Sequence, residues 1–110
     1  MAQLGNGLEH RWGERVRVNI PVRVSAATLE SVDCCMKNLS LSGALVKAGV
    51  DLPLHALVEV TIKLPAPSPY AEAILAQVSR KLEDTVAVEW CEFAPSVVKD
   101  LLRSPSVRLP

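Results

Sequence analysis

Four arginines crowd one short stretch of the chain: Arg11, Arg15, Arg17 and Arg23 fall between His10 and Arg23, where the only acid is Glu14. A guanidinium is a planar fork of donors. It binds phosphate, or the O6 and N7 acceptors of guanine, through two bonds at once, which a lysine ammonium cannot reproduce. The stretch therefore suits a ligand carrying phosphates and acceptor-rich bases, although a solvated strand face would use the same residues. A second group follows at Asn38-Leu39-Ser40-Leu41-Ser42-Gly43. A turn built from Asn, Ser and Gly can aim a side-chain amide, a hydroxyl and backbone N–H groups in one direction, making a small pocket for an anion or a base edge. Such residues also make ordinary turns, so the two groups carry weight only together.

Catalytic chemistry has no comparable support. There is no H-E-x-x-H, no P-loop, no G-x-S-x-G and no Cys and His placed as a pair. Glu9, Glu14, Glu83 and Asp84 supply carboxylates, but nothing around them in the sequence suggests a raised pKa or a bound metal. The chain reads as no enzyme. Its cysteines, Cys34, Cys35 and Cys91, are odd in number and include a vicinal pair, which suits reduced thiols in a cytosolic domain. With His10 and His55 they show none of the short spacings of a structural zinc site, so neither metal nor cofactor is expected.

The framework that must hold these groups is a single domain. A chain of 110 residues with 49% hydrophobic and 22% charged residues has enough apolar material for one core and no room for a second. Lys plus Arg number 12 and Asp plus Glu number 12, so no overall positive field draws the protein onto DNA, RNA or anionic lipid. Any anion site must be local. No run approaches the roughly eighteen apolar residues of a membrane helix, and the start MAQLGNGLEH lacks a basic region followed by a hydrophobic stretch. These features predict a cytoplasmic protein without a membrane segment.

Residues 1–14, with Gly5, Gly7 and Gly13, read as a flexible arm. From Val16 the alternation Val16, Val18, Ile20, Val22, Val24 marks a half-buried strand, with Arg15, Arg17, Asn19 and Arg23 on its other face. Pro21 places a bulge, an edge or a bend within it. Further strands are expected over 29–36, 44–48, 55–64, 71–79 and 85–90, with 38–43 as a turn-forming entry to the third and 65–69 as a three-proline turn. Six short strands at roughly ten-residue spacing favour an all-β barrel or sandwich over a parallel sheet. After Trp90 the period changes. Val97, Val98, Leu101 and Leu102 share one face of a short helix that must dock on the barrel to persist. The expected organisation is an arm over 1–14, a barrel with its helix over 15–103 and a tail over 104–110.

With these elements in place, the chain resembles the PilZ domain family. The resemblance rests on Arg11-Trp12-Gly13-Glu14-Arg15 running into Val16-Arg17-Val18-Asn19-Ile20-Pro21-Val22, and on Asn38-Leu39-Ser40-Leu41-Ser42-Gly43-Ala44. They match the family's RxxxR and D/NxSxxG elements, in order and with about two dozen residues between them. The likeness runs from residue 10 to 103. It implies a six-stranded antiparallel β-barrel that binds cyclic di-GMP and relays the signal to a downstream protein; the sequence does not distinguish a monomer-to-homodimer change from a new surface for that protein as the output. Under it, Arg11 and Arg15 clamp phosphates and guanine edges, Asn38 accepts a hydrogen bond from a guanine, Ser40 adds a hydroxyl, and Gly43 avoids crowding the ligand or the turn. Trp12, Arg17 and Ser42 are further candidates for ligand contact. The arm, free to move, would order Arg11 as the ligand binds.

Two other readings stay open on the residues alone. One is a PilZ-like module that binds a protein and no nucleotide, against which the complete RxxxR and NxSxxG set argues. The other is a small barrel for single-stranded nucleic acid, which would interleave aromatic and basic residues; this chain has one Phe, one Tyr and two Trp.

Overall fold

The computed structural model describes residues 15–27, 29–63, 71–104 and 109. Arg11, Trp12 and the rest of the arm lie outside these residues, so the expected ordering of Arg11 on ligand stays an expectation.

Six strands, β1 (Val16–Ala26), β2 (Leu29–Leu39), β3 (Gly43–Lys47), β4 (Leu57–Lys63), β5 (Ala71–Lys81) and β6 (Thr85–Trp90), precede a helix α1 (Ser96–Arg103). The strands close into a barrel in the order β1-β2-β3-β6-β5-β4, every pairing antiparallel, with β1 against β4 sealing it. This is the fold class that the alternation and the family resemblance predicted. The physical cause is plainest in β1, where Val18, Ile20, Val22 and Val24 are buried and Arg17, Asn19, Pro21 and Arg23 are exposed. Burying a branched side chain of this size contributes roughly 1.5–3 kcal/mol, so a register slip that turned these four outward would cost more than any outward polar contact could return.

Pro21 sits just before the stretch of β1 that pairs with β4, which begins at Val22, and beside a bulge between Arg17 and Ile20. There its missing N–H costs little. The carbonyl of Arg17, on the part of β1 that β4 does not cover, accepts a bond from the Leu109 N–H at 2.9 Å. Helix α1 buries Val97, Val98 and Leu101 in the same cluster as the strands, with Leu102 packed partly against it. Lys99 N–H closes its first turn on the Pro95 carbonyl at 3.0 Å. No helix among the described residues is long and apolar enough to cross a membrane.

The vicinal cysteines are divided by the pleat. Cys34 is buried and Cys35 is half-buried on the outer face, where its thiol donates to Asn19 Oδ1 at 2.8 Å. Burial, with the Asp33 carboxylate and Cys35 nearby, raises the Cys34 pKa and holds it as an unreactive thiol.

Candidate functional site

The two motifs meet on the outer face of β1, β2 and β3. Asn38 reaches that face only because of a bulge. Cys34 and Met36 point inward, so strict alternation along β2 would bury Asn38 and expose Leu39. One extra residue in β2, Lys37, falls between the pairs Met36↔Val46 and Asn38↔Leu45 and reverses the phase. Leu39 then becomes fully buried and Asn38 turns outward opposite Arg17.

The Asn38 side chain holds the bulge and the arginine together. Its Oδ1 accepts from the Leu45 N–H at 3.1 Å and from Arg15 Nη1 at 2.8 Å. Two donors aimed at one atom identify that atom as the oxygen. Both of its lone pairs are engaged in the ligand-free structure, which leaves the amide NH2 as a donor of the kind that suits O6, N7 or phosphate, while the acceptor role toward a guanine stays an expectation.

Ser40 is fully buried. Its Oγ donates to the Gly43 carbonyl at 3.2 Å and accepts from the N–H groups of Gly43 at 3.2 Å and Ser42 at 3.3 Å, with Ser42 Oγ 3.1 Å away. In the ligand-free structure the hydroxyl is engaged inside the turn, which is why its burial costs little. The turn itself is narrower than 38–43, since Asn38 belongs to β2 and Gly43 to β3. Gly43 is set by β6: a Cβ there would lie 2.0 Å from the Val88 carbonyl oxygen. This close approach is to the backbone of β6. Ser42 is exposed at the tip.

Sequence reasoning missed two residues. Lys37 is exposed beside Arg17, its Nζ held 3.2 Å from Asn19 Oδ1; only the bulge reveals its place. Trp90, 7% exposed, donates Nε1–H to the Ser40 carbonyl at 3.1 Å and its backbone N–H to the Ser42 carbonyl at 3.0 Å, bracing the turn from beneath. Its buried indole needs a partner for one N–H, a signal available in the sequence but without an address. Trp90→Phe should leave the Ser40 carbonyl without this donor and cost about 1–3 kcal/mol, lowering Tm by roughly 5 °C or more. An unchanged thermal melt would show that the brace carries no stability.

Among the described residues, Arg23 pairs with Asp33 at 3.1 Å and Lys47 with Asp84 at 3.6 Å, whereas Arg15, Arg17 and Lys37 have no carboxylate within ion-pair distance. On a protein of zero net charge, three cations without a described carboxylate partner and an amide donor concentrate positive charge on this face.

Comparison with known proteins identifies the family and the fold. The model of the PilZ domain matches residues 9–104. Among solved structures, the crystal structure of the PilZ domain of CeSA from a cellulose synthesizing bacterium superposes with a TM-score of 0.66 at 21% identity, covering 81% of this chain and 98% of that one. At that identity the likeness speaks for the fold. No curated protein gives a significant match.

Proposed function

The chain belongs to the PilZ domain family, and from that premise we propose that it is a receptor for cyclic di-GMP, with Arg15, Arg17, Lys37 and the Asn38 amide as its described contacts. PilZ domains are non-catalytic receptor and adaptor modules, so the output is a change in a partner protein. The observation that carries the ligand reading is the Arg15–Asn38 hydrogen bond at 2.8 Å, which joins the RxxxR element to the NxSxxG element on one exposed face. A ligand with two phosphates and two flat guanines requires clustered, outward donors, and these four residues supply donors. Ser40, Gly43 and Trp90 act indirectly by fixing the turn that positions Asn38. Arg11 and Trp12, with Ser42 at the turn, complete the proposed set from the sequence motif.

Titration calorimetry of the whole chain against cyclic di-GMP tests the reading. Saturable binding is expected well below about 100 μM, which corresponds to about −5.5 kcal/mol. Lys37→Ala should weaken it several-fold, because an exposed single charge contributes roughly 1 kcal/mol or less. No binding at about 100 μM would overturn the receptor reading in favour of a module that binds protein alone.

A further inference from the structure

Zero net charge conceals a division of charge between the two walls of the barrel. The wall formed by β1, β2 and β3, with Arg15 just before it, exposes Arg15, Arg17, Arg23, Lys37 and Lys47 against the two acids Glu30 and Asp33. The wall formed by β4, β5 and β6 is acidic and apolar around Leu75: Glu59 lies opposite Leu75 in register, Glu89 projects from β6, and Cys91, Glu92 and Phe93 follow it. Cys91 is tied to this wall by its N–H, which donates to the Leu75 carbonyl at 2.9 Å. Arg80 and Lys81 lie at the far end of β5, beyond its bulge, and Lys81 is held by Asp51.

Single exposed apolar residues are ordinary. Here Leu75 is 51% exposed and Phe93 73% exposed, and Phe93 and Cys91 line one open hollow of about 400 Å3 with Glu89 and Glu92, among whose lining residues there is no base. The hollow's other side is the motif turn, through Leu41 and Ser42. An apolar floor with a carboxylate rim is the usual composition of a protein-docking patch, with charge supplying selectivity and the buried aromatic supplying affinity.

We infer that this wall docks a partner protein through a segment that presents arginine or lysine beside an apolar side chain. The carboxylates repel nucleic acid and anionic lipid, and Phe93 and Leu75 give a purely cationic strand too little to bury. The surface begins on β6, which pairs with β3 beside the turn, and runs onto β5, while Arg17 and Lys37 lie on β1 and β2 with Arg15 just before them, so a small anionic ligand and the partner can be held together, with the turn from Ser40 to Gly43 touching both regions. The inference stands whether or not the ligand is cyclic di-GMP.

The test uses the whole isotopically labelled chain and three synthetic peptides of equal length: one alternating arginine with leucine, one alternating glutamate with leucine, and one alternating arginine with serine. Amide shifts of Leu75, Glu89, Cys91 and Phe93 should saturate with the first peptide and require at least tenfold higher concentrations of either other. Phe93→Ser should weaken the first peptide about tenfold, and Phe93→Leu should restore most of that loss, while circular dichroism reports an intact barrel for both. Equal response to the arginine–serine peptide, or shifts centred on Asp51 and Asp84 instead, would overturn the proposal. So would concentration-dependent self-association, measured by sedimentation, that moves the same four amides, because the occupant would then be a second copy of this chain.

Discussion

Arg15→Ala should reduce affinity for cyclic di-GMP by thirty-fold or more while the barrel stays folded. Arg15 is exposed at the start of β1, and Val16 and Val18 anchor the strand immediately behind it. Its guanidinium is already oriented by Asn38 Oδ1, so placing it against a phosphate costs less side-chain entropy than ordering a free arginine would. Removing one desolvated, charge-assisted contact costs about 2–5 kcal/mol, and at about 1.4 kcal/mol per tenfold the lower end alone approaches thirty-fold. The same substitution frees one lone pair of Asn38, and the Leu45 N–H keeps the bulge in place. Arg103→Ala is the control. It removes the same charge from the exposed face of α1, and a local site should barely register it. Calorimetry of both variants, with circular dichroism to verify folding, decides the matter: equal weakening by the two would mean a diffuse field and would remove Arg15 from the site.

Much of this arrangement was legible in the residues. The alternation from Val16 to Val24 predicted a strand and its faces, and the change of period after Trp90 predicted a helix whose Val97, Val98 and Leu101 are indeed buried. Both succeed because apolar burial dominates and its periodicity is written locally. Strand ends were less legible. The second strand was expected to stop at Met36 and continues to Leu39, because the bulge at Lys37 interrupts the alternation that marks a strand. For the same reason the motif residues were found without their roles. Asn38, Ser40 and Gly43 were recognised by type and spacing, but which lone pair is occupied, and whose backbone is too near for a Cβ, depend on β1, β3 and β6 meeting at the turn. Those contacts join residues far apart in the chain. Charge behaved likewise: the sum of zero in the sequence excluded a global field, and only the closed strand order separates a basic wall from an acidic one.

Gly43→Ala should destabilise the domain by about 3 kcal/mol or more. A Cβ at this position would stand 2.0 Å from the Val88 carbonyl oxygen, 3.1 Å from its carbon and 3.2 Å from the Glu89 Cα. All three are backbone atoms, so no side-chain rotation relieves the clash. Nor can β6 easily withdraw, since it is paired with β3 on one side and β5 on the other. Relief requires β3 and β6 to part at Gly43↔Glu89 and Ala44↔Val88. Overpacking of this kind costs about 1–3 kcal/mol or more, and each ladder bond lost adds about 1 kcal/mol. At roughly 4–8 °C per kcal/mol for a domain of this size, Tm should fall by more than about 12 °C. The result separates two explanations of the glycine. If it were needed only to leave room for a ligand, Gly43→Ala would keep the wild-type Tm and lose affinity alone. If the backbone of β6 requires it, the melt shifts first in the absence of any ligand, and affinity measured well below the new Tm falls as a consequence, because the displaced turn no longer holds Asn38 against Arg15. A thermal melt of the ligand-free variant is sufficient to choose between them, and a wild-type melting curve would refute the steric account.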